Sequence, residues 1–141
     1  MIDQITVFLE NEKGRLAALC KTIGDAGINM RAMTISESSD YGLVRIICDD
    51  PAKALETLSG AGYGANITKV SAVAIGDQPG GLAGLLEVLD EAGLNVEYGY
   101  CFTASGGTAI DVLKISDMET AARVLSEAGY KAMQPEDVYR A

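Results

Sequence analysis

The chain repeats itself. Shifted by 66 residues, Gly14-Arg15-Leu16-Ala17-Ala18-Leu19 falls on Gly80-Gly81-Leu82-Ala83-Gly84-Leu85, and Asp25-Ala26-Gly27-Ile28-Asn29 falls on Glu91-Ala92-Gly93-Leu94-Asn95. Further on the offset is 67, where Leu58-Ser59-Gly60-Ala61-Gly62-Tyr63 meets Leu125-Ser126-Glu127-Ala128-Gly129-Tyr130. The extra residue falls between the second and third blocks, and Ser105-Gly106-Gly107 is the place where a loop absorbs an insertion cheaply. Three blocks in one order within 141 residues establish a duplication. The expected organisation is two units, residues 1–68 and 69–141. A unit of about 70 residues buries only about 60% of its unfolded surface, so two of them gain by packing as an intrachain pseudo-dimer.

Each half has the same internal grammar. Ile5, Val7 and Leu9 alternate with Thr6, Phe8 and Glu10, the period of a strand. Leu16, Leu19, Cys20 and Ile23 then recur at the spacing of an amphipathic helix, and Leu82, Leu85, Leu86 and Leu89 repeat that stripe. Gly27 and Gly93 follow these helices as left-handed terminators. A hairpin comes next, Asn29 to Ser36 and Leu43 to Cys48, with its counterpart from Asn95 to Thr103 and from Ala109 to Ile115. Asp50-Pro51 opens the second helix of the first half, and Ser116-Asp117-Met118-Glu119 reads as a capping box in the second. Ala65 to Ile75 has to hold the last strand of one unit and the first of the next with little or no linker. The tail after Tyr130, broken by Pro135, reads as a short edge strand. Strand, helix, hairpin, helix, strand, twice over, is the split βαβ or ferredoxin-like βαββαβ arrangement. The fold class is α+β, with antiparallel sheets and helices on one face.

Charge and composition remove several functions. Eleven basic against 20 acidic residues leave a net charge of −9, whereas nucleic acids and anionic membranes require clustered Lys and Arg. No run of apolar residues approaches a membrane span, and the first residues lack the layout of a signal peptide. Cys20, Cys48 and Cys101, an odd count without a CxxC spacing, fit a reducing cytoplasm and read as small buried hydrophobes. There is no histidine, which removes imidazole bases, Ser-His-Asp and Cys-His catalysis and imidazole metal ligation. No cofactor or metal is expected.

Asn11-Glu12-Lys13-Gly14-Arg15-Leu16 and Asp77-Gln78-Pro79-Gly80-Gly81-Leu82 resemble the first-turn motif of ACT domains, where an Asp or Asn stands three residues before a glycine. Ala26-Gly27-Ile28-Asn29 and Ala92-Gly93-Leu94-Asn95 resemble the end of the same domain's first helix. The two copies cover essentially the whole chain, and Asn95-Val96-Glu97-Tyr98-Gly99-Tyr100-Cys101-Phe102 is similar to a segment of small proteins made of two ACT domains alone. The resemblance implies a regulatory protein of amino-acid metabolism that binds a free amino acid between paired domains near the turn after strand one. It implies ligand roles for the two first-turn segments, and for Asn29 and Asn95 by analogy with serine-binding members. It departs at Asp77, where a carboxylate receives an ammonium group but repels the ligand's own carboxylate.

The physical reading agrees. Unpaired N–H groups at a helix start favour the anion of a zwitterion, and an Asn side chain offers both a donor and an acceptor. Plainer roles stand beside these. Asn11 and Gln78-Pro79 could simply cap helices, Asn29 and Asn95 could serve local turns, and Lys13 and Arg15 could be solvated surface. Tyr98, Tyr100 and Phe102 share one strand face and suit packing. The alternative function is a ligand-free interaction module or a regulatory subunit docking onto a metabolic enzyme. An independent enzyme ranks last, and the expected partners are an amino acid with a second copy or a metabolic enzyme.

Overall fold

The structure is a computed structural model that describes residues 1–139. Arg140 and Ala141, the end of the second unit and of the expected tail strand, lie outside the described residues. The chain divides into two compact units, residues 3–68 and residues 69–141 together with Met1 and Ile2.

The first unit contains β1 (Ile2–Glu10) from Asp3 onward, α1 (Arg15–Asp25), β2 (Met30–Glu37), β3 (Tyr41–Cys48) and α2 (Pro51–Gly60). Its strands lie in the order β2-β3-β1, with β3 antiparallel to both neighbours. The register Ile5↔Ile46 and Val7↔Val44 puts the alternating apolar residues of two strands on one face. That face is buried with Leu19 and Ile23 of α1 and Ala54 and Leu58 of α2. β4 (Gly64–Gly76) follows as one continuous strand across the expected junction. It supplies residues 64–68 to the first unit and 69–76 to the second.

The second unit repeats this with α3 (Gly81–Glu91), β5 (Val96–Ala104), β6 (Thr108–Ile115) and α4 (Met118–Glu127), in the strand order β4-β6-β5. Val73, Leu113 and Ile115 pack on Leu85 and Leu89 of α3 and on Ala121 and Leu125 of α4. The duplication extends to irregularities: β2 and β5 each break register at their second residue, between Met30 and Ala32 and between Val96 and Tyr98. β3 and β6 have 8 residues each, whereas β2 has 8 and β5 has 9. The hairpin loops, residues 38–40 and 105–107, have three residues each, so the extra residue lies in β5 and not in the Ser105-Gly106-Gly107 loop expected to absorb it.

Four further expectations change. Among the described residues the tail forms no strand. Ala132 makes one bridge to Val73, and the chain then turns into α5 (Pro135–Tyr139), whose Val138 is buried. Proline suits the opening of a helix, and the Asp137 carboxylate accepts the Gln134 N–H at 3.1 Å, so this segment is closed locally. The second correction is in the capping box. Asp117, not Ser116, caps α4, accepting from the Thr120 N–H at 3.1 Å, while Ser116 Oγ accepts the Asn95 N–H at 3.1 Å. Third, the apolar stripe on α3 is narrower than expected, because Leu85 and Leu89 point into the core and leave Leu82 and Leu86 exposed. Fourth, of the three cysteines only Cys48 is buried; Cys20 is half-buried and Cys101 is exposed on the edge strand β5.

The anticipated Asp50 cap with Pro51 in the first turn is present, its carboxylate accepting the Lys53 N–H at 3.1 Å. Among the described residues no helix is long and apolar enough to cross a membrane.

Truncating the core should show how much each unit relies on it. Leu19→Ala and Leu85→Ala are expected to cost about 2–5 kcal/mol each, and Asp117→Ala about 1 kcal/mol through the lost cap. Urea unfolding of the full chain measures all three.

Candidate ligand site at the first turns

The two first turns are built from the same hydrogen bonds. The Asn11 N–H donates to the Asp40 carbonyl at 3.1 Å, and the Asp77 N–H donates to the Gly107 carbonyl at 2.9 Å. The Arg15 N–H returns to the Glu12 carbonyl at 3.2 Å, and the Gly81 N–H to the Gln78 carbonyl at 3.1 Å. Gly14 and Gly80 are the N-cap residues of α1 and α3, at φ 86° and 83°. That is the left-handed region, where a side chain is strained.

A glycine also has no side-chain oxygen with which to cap. Neither α1 nor α3 receives a side-chain cap, whereas Asp50 and Asp117 cap α2 and α4. The open N–H donors and positive dipole ends thus collect at the first turns. Asn11 does not cap α1; its amide reaches the Ser38 carbonyl at 3.5 Å. Gln78 and Pro79 do not cap α3 by a side chain either.

In the first unit charge gathers beside this helix start. The Arg15 guanidinium lies 3.3 Å from the Glu10 carboxylate and 3.5 Å from that of Glu12, with all three exposed. Glu10 and Arg15 also line a hollow of about 260 Å³, together with Phe8, Leu9, Gly62 and Tyr63. Arg15 thus joins the rim of a concavity, a choice that the sequence leaves open. Glu10 belongs to no motif, and its only sign in the sequence is its place at the end of an alternating strand. Lys13 is exposed on the turn, and Leu16 is half-buried against the first core.

Asn29 and Asn95 sit elsewhere. The Asn29 N–H donates to Asp49 Oδ1 at 3.0 Å, and the Asp49 N–H donates back to the Asn29 carbonyl at 3.1 Å. Asn95 makes the matching exchange with Ser116. Both precede the start of β2 or β5, while the first turns lie beside the hairpin at the far end of those strands. Eight residues of β2 separate the two ends, roughly 25 Å at about 3.3 Å per residue. One unit does not bring Asn11 and Asn29 to the same small ligand.

The second unit carries different chemistry on the same backbone. Gly76 and Gly81 stand where the first unit has Glu10 and Arg15. A Cβ at Gly81 would run into the Gly76 carbonyl oxygen, so this position is closed to any side chain. Asp77, Gln78, Pro79 and Gly80 are exposed on the turn, as is Leu82 behind it.

Among the described residues one acidic side chain is buried. Asp111 of β6 is only 3% exposed, and its Oδ2 has no hydrogen-bond partner. Burial pushes its carboxyl pKa up. Its strand neighbours are Val73 and Cys101. Loss of solvent around Cys101, followed by the charges of Asp111 and Asp77, pushes that thiol up. Burial, with a smaller part from the charges of Asp49 and Asp50, pushes Cys48 up to about 11. No motif marks Asp111, although a carboxylate stands there in an apolar strand at the position where the first repeat has Val44. Among the described residues no group of three or more acidic, Cys or His side chains is placed to hold a metal ion.

Two outcomes follow from this geometry. Gly81→Ala should destabilise the chain by about 1–3 kcal/mol, because the neighbour it meets is backbone and must shift; urea unfolding detects it. For Asp111 the folded pKa lies above the unfolded one. The penalty is therefore absent below the ordinary carboxylate range and grows as pH rises towards the folded pKa. Wild type should lose stability relative to Asp111→Asn between acid and neutral pH, by about 1–3 kcal/mol. Parallel pH-dependent unfolding curves would contradict this.

The ACT domain pair family matches residues 1–140. Among solved structures, protein BT0572 from Bacteroides thetaiotaomicron superposes with a TM-score of 0.93 at 33% identity, covering 99% of this chain and 96% of that one. The ligand-free regulatory subunit of aspartate kinase from Thermus thermophilus matches with a TM-score of 0.66 at 20% identity, covering 89% of this chain and 91% of that one. The corresponding subunit from Thermus flavus gives 0.61 at 20% identity, with 89% and 91% covered. These last two share the fold. No curated protein matches. Two βαββ-helix units with glycine-opened first helices, matched from the first residue to residue 140, place the chain in the ACT domain pair family.

Proposed function

We propose that this protein is a non-catalytic regulator of amino-acid metabolism that binds a free amino acid at the first turns, most directly at the hollow beside α1. The observation that carries this reading is the Arg15–Glu10 pair on the rim of that hollow, next to a helix start without a side-chain cap. A zwitterion presents a carboxylate and an ammonium a few ångströms apart. Arg15 and the open N–H groups of α1 suit the carboxylate, and Glu10 suits the ammonium.

An exposed ion pair contributes only about 0–1 kcal/mol to stability. Little is therefore lost when a ligand inserts between its partners. A micromolar to millimolar sensor needs about −8 to −4 kcal/mol, within reach of a few charge-assisted hydrogen bonds. Two proteins of similar fold are regulatory subunits of aspartate kinase, which supports a place in the control of amino-acid metabolism. The absence of histidine favours binding over turnover.

Docking onto a second copy or a partner enzyme is a second reading. It is favoured by the exposed Phe8 (61%) and Tyr41 (60%), which line a shallow hollow with Gly42 and Leu43.

Thermal unfolding of the full chain against each standard amino acid at millimolar concentration tests the main reading. One or a few should raise Tm saturably, since ligand at about 100 times Kd adds about 2.7 kcal/mol. Arg15→Ala should weaken the response at least tenfold. A flat panel would overturn the proposal and leave docking as the reading to pursue.

A further inference from the structure

The geometry points to a second, chemically distinct site in the other unit, where Asp111 receives the primary ammonium group of a small ligand that enters over Cys101 on the edge strand β5. The inference takes its ligand class from the amino-acid-binding reading, while its location stands on separate observations.

The duplication supplies an internal control. The register that pairs Ile35 with Val44 in the first unit pairs Cys101 with Asp111 in the second. Val44 is fully buried in a unit of the same topology. The fold therefore has no need of a carboxylate at this place. An unpaired carboxylate in an apolar layer also costs stability. Asp111 is buried, its Oδ2 accepts no hydrogen bond, and among the described residues it forms no ion pair. Lys114, on the same strand, is engaged by Glu97 at 3.5 Å. A cation arriving at Asp111 breaks no bond to Oδ2.

Access lies on the β5 side. Cross-strand partners project to the same face with their Cβ atoms about 5 Å apart, so Cys101 stands beside Asp111. Cys101 is exposed, and it takes the place of the larger Ile35. The absence of a metal-holding cluster among the described residues favours an ammonium over a divalent ion.

Amide NMR of the full chain titrated with ethylammonium and, separately, with acetate tests this site whatever the natural ligand is. Ethylammonium at tens of millimolar should shift the Cys101 and Asp111 signals saturably, and acetate should not. Asp111→Asn and Asp111→Val, the latter installing the first unit's residue, should each weaken that response at least tenfold while keeping a Tm no lower than wild type. Absence of the ethylammonium shifts, or shifts retained equally in both variants, would overturn the inference. The two readings fail separately. An amino-acid response abolished by Arg15→Ala, with no ethylammonium effect at Cys101, overturns this site alone. A flat amino-acid panel with the Asp111-dependent shifts intact overturns the amino-acid reading alone.

Discussion

In each unit a dry layer lies between the sheet and its pair of helices, and the rest of the structure depends on keeping water out of it. A unit of about 70 residues has little surplus core, so its inner strands must offer an apolar face and each long helix a stripe to match. Val7, Val44 and Ile46 meet Leu19 and Leu58 in one unit, and Val73, Leu113 and Ile115 meet Leu85 and Leu125 in the other. Turn positions and helix lengths follow from that requirement. Against it, Asp111 is an exception that the layer itself does not explain.

The two halves agree where packing and backbone bonding decide, and differ where chemistry decides. Their first turns share hydrogen bonds, their first helices share a left-handed glycine cap, and their second helices share an aspartate cap. Beside those turns, Glu10 and Arg15 in one unit become Gly76 and Gly81 in the other, and Val44 becomes Asp111. The fold is thus a repeated frame carrying two unlike polar environments. One is an exposed ion pair beside a hollow; the other is a buried lone carboxylate behind an edge strand.

Most of the frame is legible in the sequence because its determinants are local. Period-two alternation marks β1, helical spacing marks α1 and α3, and the change of offset points to the second hairpin, although the extra residue lengthens β5 and not the loop after it. What escapes depends on longer-range geometry. The tail after Tyr130 reads as extended, but Pro135 opens a short helix instead. Ser116 has the pattern of a cap, yet its hydroxyl is drawn to Asn95. The burial of Leu85 and Leu89 over Leu82 and Leu86 reflects the roll of a helix on its sheet, which spacing alone leaves open. Asn11 and Asn29 share a family motif, yet a whole strand separates them. Glu10 and Arg15 become partners only through the turn between them.

The central claim is that the first turn of α1, with Arg15 and Glu10, is an amino-acid site. The most direct measurement is a crystal structure of the full chain grown with the amino acid that most raises its thermal stability. The account predicts a ligand carboxylate on Arg15 and the open N–H groups of α1, with the ammonium toward Glu10. A well-ordered amino acid bound away from both first turns, with the Arg15–Glu10 pair still closed, would contradict it.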